Sequence, residues 1–233
     1  MANKTKVNNK NQAVKLVTML NPSSPISEQY RTIRTNIQFS SSGDHQVKVL
    51  VVTSPGPAEG KSTSAANLAA VFAQSGQRVL LVDADMRKAT VHKIFDKANT
   101  SGLSTVLSTS SMGENVLQAT TIPNLSVLTS GPKPPNPSEL LGSQRMLQVV
   151  NELRSAFDVV IFDMPPIGAV TDAQIMASKA DGTILVLREN VTRKEEALKA
   201  KQLLQMVNAN ILGVIYNGAS TDKDQGYYYY YGN

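Results

Sequence analysis

The stretch that decides the fold is Val47-Lys48-Val49-Leu50-Val51-Val52, which runs into Thr53-Ser54-Pro55-Gly56-Pro57-Ala58-Glu59-Gly60-Lys61-Ser62-Thr63. The apolar run predicts a buried strand, and the alanine-rich segment after the loop predicts a helix over Lys61–Ser75. A loop of this kind between a strand and a helix holds phosphate groups with its backbone N–H groups. The sequence therefore predicts a nucleotide site formed by Gly56, Pro57, Ala58, Glu59, Gly60, Lys61, Ser62 and Thr63.

Two side chains at the end of this loop have defined tasks in phosphate loops. Lys61 is expected to reach the β- and γ-phosphates of ATP, and the Ser62 hydroxyl is expected to bind Mg²⁺. Pro55 stands where the usual pattern has a glycine, and proline has no N–H to donate, so the loop must begin differently here. The alternative is a glycine turn that happens to precede a helix.

Further apolar runs recur along the chain with helix-length intervals between them. Most are continuously apolar rather than alternating, which indicates strands buried on both faces. They are Val79–Val82, Leu125–Leu128, Val159–Phe162, Thr183–Leu187 and Ile211–Ile215, with helices expected over Pro137–Ala156, Thr171–Ser178 and Thr192–Val207. The pattern predicts an α/β fold of the P-loop NTPase type, with a mostly parallel β-sheet and helices on both faces. We expect an arm over residues 1–25, one domain over 26–218 and a tail over 219–233.

Aspartates follow two more of the predicted strands. Asp83 and Asp85 end one strand, where alternate positions point the same way, and Asp163 ends another. Because open α/β sheets bind ligands at the carboxyl ends of their strands, these acids should lie near the phosphate loop and bind Mg²⁺ or a proton. Asn217 follows the last strand and is a candidate for hydrogen bonding to adenine. Each of these residues could instead be an ordinary turn former or helix cap.

Composition narrows the classes of function. The chain has 233 residues, a net charge of +5 and no cysteine. It therefore has no disulfides or thiolate metal sites, and no apolar run approaches the roughly 20 residues that span a bilayer. Four lysines and no acid lie in the first twenty residues, but without interleaved aromatics they do not indicate nucleic-acid binding. We expect a cytoplasmic protein whose basic arm meets an anionic membrane or partner, or is merely solvated.

Five consecutive tyrosines near the C-terminus stand apart from any predicted core. Tyr227, Tyr228, Tyr229, Tyr230 and Tyr231 follow a polar linker, Ala219–Gly226. In a chain with a nucleotide site, such side chains suggest phosphate acceptors. The alternative is a sticky tail without a function.

Together these features resemble the bacterial tyrosine kinases, the P-loop kinases that regulate capsule and exopolysaccharide synthesis. The resemblance rests on the phosphate loop, Asp83-Ala84-Asp85-Met86-Arg87, Asp163, the tyrosine cluster, and Glu28-Gln29-Tyr30-Arg31-Thr32-Ile33-Arg34, which is similar to the family's subunit-contact motif. Ala58 replaces a common glycine of the family, and Ala89 replaces a proline that often follows Arg-Lys.

The resemblance implies an ATP- and Mg²⁺-dependent kinase that phosphorylates the tails of neighbouring copies within a ring, an octamer being one candidate size. It implies a transmembrane activator (chain-length regulator) that recruits the chain to the inner face of the plasma membrane, and a phosphotyrosine phosphatase. Lys61, Asp83 and Asp85 would be catalytic, with Asp83 accepting the proton. Ser62, Asp85 and Asp163 would hold the metal, and Arg87 and Asn217 would contact ATP.

On a helix, the candidate subunit-contact motif would have two distinct faces. Tyr30, Ile33 and Ile37 form an apolar stripe that should face the core. Glu28, Arg31 and Arg34 fall on a separate arc of about 120°, which would present them outward to another chain. The alternative is a set of ion pairs within the helix.

Two other functions fit parts of the sequence. A membrane-associated ATPase switch, related to the septum-positioning and partitioning ATPases, would carry a second lysine in the loop where this chain has Gly56. A non-catalytic adaptor would have no need of Lys61, Ser62 and the three aspartates. Kinases of the eukaryotic type are excluded, because neither His-Arg-Asp nor Asp-Phe-Gly occurs.

Overall fold

A mostly parallel β-sheet forms the centre of the computed structural model, which describes residues 16–40, 46–109, 112–113 and 115–219. The strands are β1 (Val49–Thr53), β2 (Val79–Asp83), β3 (Leu117–Ala119), β4 (Leu125–Leu128), β5 (Val159–Asp163), β6 (Gly182–Arg188) and β7 (Ile211–Asn217). They lie in the order β3-β4-β2-β5-β1-β6-β7, and only β3 runs antiparallel to its neighbour. The predicted fold class is confirmed.

Helices cover both faces of this sheet. They are α1 (Val17–Leu20), α2 (Pro25–Phe39), α3 (Lys61–Gln74), α4 (Val91–Ile94), α5 (Leu103–Ser108), α6 (Pro137–Gly142), α7 (Gln144–Ala156), α8 (Asp172–Ala177) and α9 (Lys194–Gln205). Side chains from α2, α3 and α4 form the core on one face, and side chains from α5 to α9 form the core on the other. The sheet is therefore the middle of three layers.

The register of the central strands brings the functional strand ends together. Every residue of β1, β2 and β5 is buried, which explains their continuously apolar sequences. In the parallel pairing, Asp83 lies beside Asp163, and Asp163 lies beside Val52 of β1. The carboxyl ends of three strands thus meet at the start of the phosphate loop.

The structure departs from the predicted elements in two places. The helix predicted over Pro137–Ala156 is divided, because Ser143 has an extended backbone (φ −71°, ψ 159°) and caps α7 by accepting a hydrogen bond from the Met146 N–H. β7 is an edge strand rather than a buried one, and its Val214 and Tyr216 side chains are more than half exposed. The short elements α1, α4, α5 and β3 had no prediction.

Part of the predicted N-terminal arm packs against the domain. Leu16 is buried, and the Thr18 N–H and hydroxyl donate to Asn67 Oδ1 of α3 at 3.1 and 2.9 Å. Residues 16 and 18 of the predicted arm therefore contact the domain, and the predicted domain boundaries remain a prediction. The lysine-rich residues 1–15 and Tyr227–Tyr231 lie outside the described residues. Within the described part of the chain, none of the helices is long and apolar enough to cross a membrane.

Candidate active site

The phosphate loop leaves β1 and enters α3 through two left-handed residues. Ala58 has φ 61°, and Gly60, which precedes the first residue of α3, has φ 94°. The loop begins at Pro55, which has no N–H to donate, and the carbonyl groups of Ser54 and Pro55 accept hydrogen bonds there. The Ile167 N–H donates to Ser54 O at 2.9 Å, and the Gly168 N–H donates to Pro55 O at 3.1 Å. The segment after β5 therefore anchors the start of the loop.

Lys61 lies at the centre of the acidic strand ends. Its Nζ is 3.1 Å from Asp85 Oδ2 and 3.2 Å from Asp163 Oδ1, and it donates to Ser62 Oγ at 3.2 Å. Burial disfavours the ammonium form, but the charges of Asp163 and Asp85 outweigh burial, so the pKa of Lys61 is raised. The side chain is thus a buried, charged ammonium group in reach of the loop where phosphates bind.

Asp83 is fully buried and has the properties of a proton acceptor. Its Oδ2 accepts from the Thr90 and Val91 N–H groups, both at 2.9 Å, while Oδ1 has no hydrogen-bond partner among the described residues. Burial, and then the charge of Asp163, raise its pKa to about 7, against the opposing effect of these N–H groups and Lys61. A carboxyl group with such a pKa exchanges its proton near neutral pH.

Asp163 completes the buried acidic group. It is inaccessible to solvent, and burial raises its pKa although Lys61 and Ser62 oppose that change. Its Oδ2 has no hydrogen-bond partner within the described ranges. Asp85 also contacts Lys61, and its Oδ1 accepts from the Lys88 N–H at 2.9 Å. Asp83 and Asp85 therefore have different hydrogen-bond and ion-pair partners, although they are only two positions apart in the sequence.

The residues predicted to hold Mg²⁺ fit a metal that is shared with a nucleotide. Within the described residues, no group of three or more carboxylate or histidine side chains could hold a metal ion alone. Mg²⁺ at phosphate sites takes one or two protein ligands, with phosphate and water oxygens supplying the others. The Ser62 hydroxyl, the Asp163 oxygen without a partner and Asp85 are oxygen donors of the required kind.

Asn217 contacts the phosphate loop directly. Its Nδ2 donates to Glu59 O at 3.0 Å. A Cβ atom added at Gly60 would lie 2.1 Å from the same nitrogen, so another residue there would displace the Asn217 side chain and would strain the backbone at φ 94°. Asn217 thus supports the loop, and its predicted contact with adenine remains a prediction.

Arg87 was predicted to contact the nucleotide, but in the structure its guanidinium group bonds to other side chains of the protein. Its Nε and Nη2 each donate at 3.0 Å to one oxygen of the fully buried Asp172 carboxylate, and Nη2 also donates to Ser138 Oγ at 3.0 Å. The guanidinium group therefore joins the loop after β2 to α6 and α8. A contact with ATP remains a prediction for this residue.

The candidate subunit-contact helix agrees in part with the sequence analysis. Tyr30 and Ile37 are buried and Ile33 packs on the same core, as predicted. Arg31 forms the alternative ion pair within the helix, 2.6 Å from Glu28. Arg34 is not presented freely outward, because its Nη1 donates to Val71 O of α3 at 3.0 Å. Only Glu28 of the three is fully on the exposed side, and the contact with another chain remains a prediction.

Residues that the sequence analysis did not identify also reach the phosphate loop. Arg188, the last residue of β6, donates from Nη1 to Ala58 O at 2.8 Å. Burial raises the pKa of Glu59, whose carboxyl group receives hydrogen bonds from Thr192 and the Gly56 N–H. The only signal in the sequence was an arginine at the carboxyl end of a predicted strand, where parallel sheets bind ligands.

Known proteins with this fold point to one family. A protein-family model described as "AAA domain" matches residues 47–209. The tyrosine-protein kinase YwqD of Bacillus subtilis (strain 168) is 53% identical over 215 residues, covering 92% of this chain and 90% of that protein. The crystal structure of the chimerical protein CapA2B2 superposes with a TM-score of 0.82 and 42% identity, covering 86% of this chain and 88% of that one.

A more distant structure shares the fold alone. The cell division ATPase MinD of Pyrococcus furiosus has a TM-score of 0.62 and 24% identity, over 75% of this chain and 74% of that one. This kind of sheet is therefore also found in a cell division ATPase.

Proposed function

Because the chain belongs to the bacterial tyrosine kinases and contains their AAA domain, we propose that it transfers the γ-phosphoryl group of ATP to Tyr227–Tyr231 of its own tail. The observation that carries this proposal is the buried group at the end of the phosphate loop. There a charged lysine lies between Asp85 and Asp163, and an aspartate with a pKa of about 7 lies beside it. These groups supply the charge and the proton acceptor that phosphoryl transfer requires.

The roles follow from the surroundings of each side chain. The phenol oxygen of a tyrosine forms a bond to the γ-phosphorus while the bond from that phosphorus to the oxygen of ADP breaks. Asp83 accepts the phenol proton, which is favoured by its raised pKa and by its Oδ1, to which no described residue donates. Lys61 offsets the charge that develops on the transferred group and on ADP.

Mg²⁺ would be held by Ser62, Asp163 and Asp85, and there it would neutralise phosphate charge. Of Asp83 and Asp85, we favour Asp85 as the metal ligand. Its Oδ2 contacts the Lys61 ammonium group, which also donates to the Ser62 hydroxyl. This division can be tested with metal ions. Mn²⁺ should restore part of the activity of Asp85→Asn and none of the activity of Asp83→Asn. The opposite pattern would exchange the two roles.

We propose further that phosphorylation occurs between copies of the chain in a ring and regulates capsule or exopolysaccharide synthesis. The family supplies this proposal, together with a transmembrane activator at the membrane and a phosphotyrosine phosphatase. The described surface of α2 supports it only through Glu28 and the half-exposed Arg31, which can exchange their mutual ion pair for one with a neighbour. Each added phosphate brings about −1.5 to −2 charges, so phosphorylated tails would repel one another and favour disassembly.

A mixing experiment tests the reaction and its direction together. One chain carries Lys61→Met with its tail intact, and the other has a functional site but lacks Tyr227–Tyr231. With Mg-ATP, we expect phosphotyrosine on the Lys61→Met chain only in the mixture. A Lys199→Met chain, altered at an exposed lysine of α9, serves as the control and should phosphorylate itself. If wild type gains phosphate but the Lys61→Met chain in the mixture does not, transfer occurs only within one chain.

The ATPase switch is the second candidate, and the shared fold with MinD is the observation in its favour. Gly56 occupies the position of the lysine that such switches carry, and the kinase relative is far more similar to this chain. Steady ATP hydrolysis without phosphotyrosine, unchanged by deletion of the tail, would support the switch.

A further inference from the structure

The phosphate loop has an alanine where its backbone is left-handed. Ala58 has φ 61°, a conformation that residues with a Cβ adopt rarely and that is disfavoured without support from the surroundings. It precedes Glu59 and the left-handed Gly60, so the conformation belongs to the part of the loop that leads into α3. Since the phosphate-binding N–H groups depend on this geometry, some contact must hold Ala58 in place.

Side chains from outside this part of the loop bond to its carbonyl groups. Arg188 Nη1 donates to Ala58 O at 2.8 Å, and Asn217 Nδ2 donates to Glu59 O at 3.0 Å. In a trans peptide unit, the C=O and N–H groups point in opposite directions. Bonds that hold these carbonyls toward β6 and β7 therefore turn the following N–H groups, those of Glu59 and Gly60, away from those strands.

Arg188 is itself held in position by its surroundings. Its N–H donates to Thr192 Oγ1 at 2.8 Å, and its carbonyl accepts from the Thr192 N–H at 2.9 Å. The next residue, Glu189, is tied to β7 through its N–H, which donates to Asn217 O at 2.9 Å. The start of the arginine side chain is thus fixed at the end of β6, and its guanidinium group reaches the loop from there.

We propose that Arg188 is a positioning residue for the nucleotide. Its hydrogen bond to Ala58 O holds the left-handed peptide, so that the loop presents its N–H groups to phosphate. Arg188 touches the loop and not the reacting atoms. The inference rests on the proposed function only in taking the phosphate ligand to be ATP or ADP.

The test measures Mg-ADP affinity of the full chain by titration calorimetry. Arg188→Ala should raise the Kd about tenfold, equivalent to about 1.4 kcal/mol, as expected for loss of one hydrogen bond from a charged donor at a partly exposed site. Arg188→Gln keeps an N–H donor and should raise the Kd by about threefold or less. Lys194→Ala removes one exposed positive charge at the first residue of α9 and should leave the Kd within about twofold.

A second background separates positioning from direct contact with the nucleotide. Glycine adopts the left-handed conformation without the Cβ penalty, so Ala58→Gly should make the loop less dependent on Arg188. Measured against Ala58→Gly alone, the added Arg188→Ala should raise the Kd less than about threefold. A full tenfold loss on this background would mean that Arg188 binds the nucleotide itself, and would overturn the proposal.

Kinetics give an independent readout. If tail phosphorylation is observed, Arg188→Ala should raise the KM for ATP about tenfold with little change in kcat. An unchanged Kd in Arg188→Ala would also overturn the proposal. If no chain forms phosphotyrosine but the pattern of ADP affinities holds, the proposed kinase reaction fails and the positioning role of Arg188 stands.

Discussion

Replacing Asp83 with asparagine should stabilise the protein while removing its proton acceptor. The side chain is completely buried, and burial is the main reason that its pKa rises from 3.8 to about 7. Asparagine has nearly the same shape, can accept the N–H groups of Thr90 and Val91 through its Oδ1, and has no charge to bury. Asp83→Asn therefore removes the ionisable group and keeps the hydrogen bonds from the Thr90 and Val91 N–H groups.

The size and sign of the effect follow from proton linkage. Because folded Asp83 holds its proton up to a higher pH than unfolded Asp83, the wild-type free energy of unfolding falls as pH rises from about 4 to about 7. At 1.36 kcal/mol for each pH unit, the loss from this group reaches about 4 kcal/mol above pH 7. Asp83→Asn lacks this loss, so its advantage over wild type should grow across the same pH window and then level off.

Urea denaturation between pH 5 and pH 8, with EDTA and without nucleotide, measures this difference. Asp83→Ala is the matched contrast, because it leaves the Thr90 and Val91 N–H groups without their acceptor and should be destabilised by about 1–3 kcal/mol relative to Asp83→Asn at every pH. If the stability difference between Asp83→Asn and wild type does not change between pH 5 and pH 8, the pKa of Asp83 is not raised in the folded protein.

Three further outcomes follow from the site. The rate of tail phosphorylation at saturating ATP should fall about tenfold for each pH unit below about 7, because Asp83 must be ionised to accept a proton; a flat profile between pH 5.5 and 7 would exclude it as the acceptor. Gly60→Ala should weaken Mg-ADP binding at least a hundredfold by calorimetry, since its Cβ would lie 2.1 Å from Asn217 Nδ2 at φ 94°; affinity within about threefold of wild type would contradict this geometry. In urea denaturation, Arg87→Ala should cost about 3 kcal/mol because it leaves the buried Asp172 carboxylate without its cation, and adding Asp172→Ala should cost little more; fully additive losses would show that the two side chains do not act as a pair.

The sequence was sufficient to predict the sheet and the part of the site that lies along it. β4 was predicted to the residue, and α8 to within one residue at each end, because their boundaries coincide with changes from apolar to polar sequence. Asp83 and Asp163 were placed together because parallel strands end at the same edge. Lys61 was identified because a strand, a glycine-containing loop and a helix follow one another there, which is the local pattern of a phosphate loop.

One error lies in a local signal, and the others concern interactions between residues far apart in the chain. Gly142-Ser143 did carry a local signal for the break between α6 and α7, since a helix often ends at glycine and begins at serine, but the apolar periodicity on either side obscured it. No local pattern shows that Arg34 bonds to Val71 O, that Arg87 pairs with Asp172, or that Arg188 reaches across 130 positions to Ala58. These contacts depend on how elements pack, and only the structure supplies them.

The most direct test of the central claim is the intact mass of the full chain after incubation with Mg-ATP, beside Lys61→Met and a chain without Tyr227–Tyr231. We expect stepwise additions of one phosphate mass to the wild-type chain, and none to either variant. Addition of phosphate to the Lys61→Met chain on its own, or to the chain without Tyr227–Tyr231, would contradict this expectation. An unchanged wild-type mass, even with the membrane activator present, would show that this site does not phosphorylate the tail.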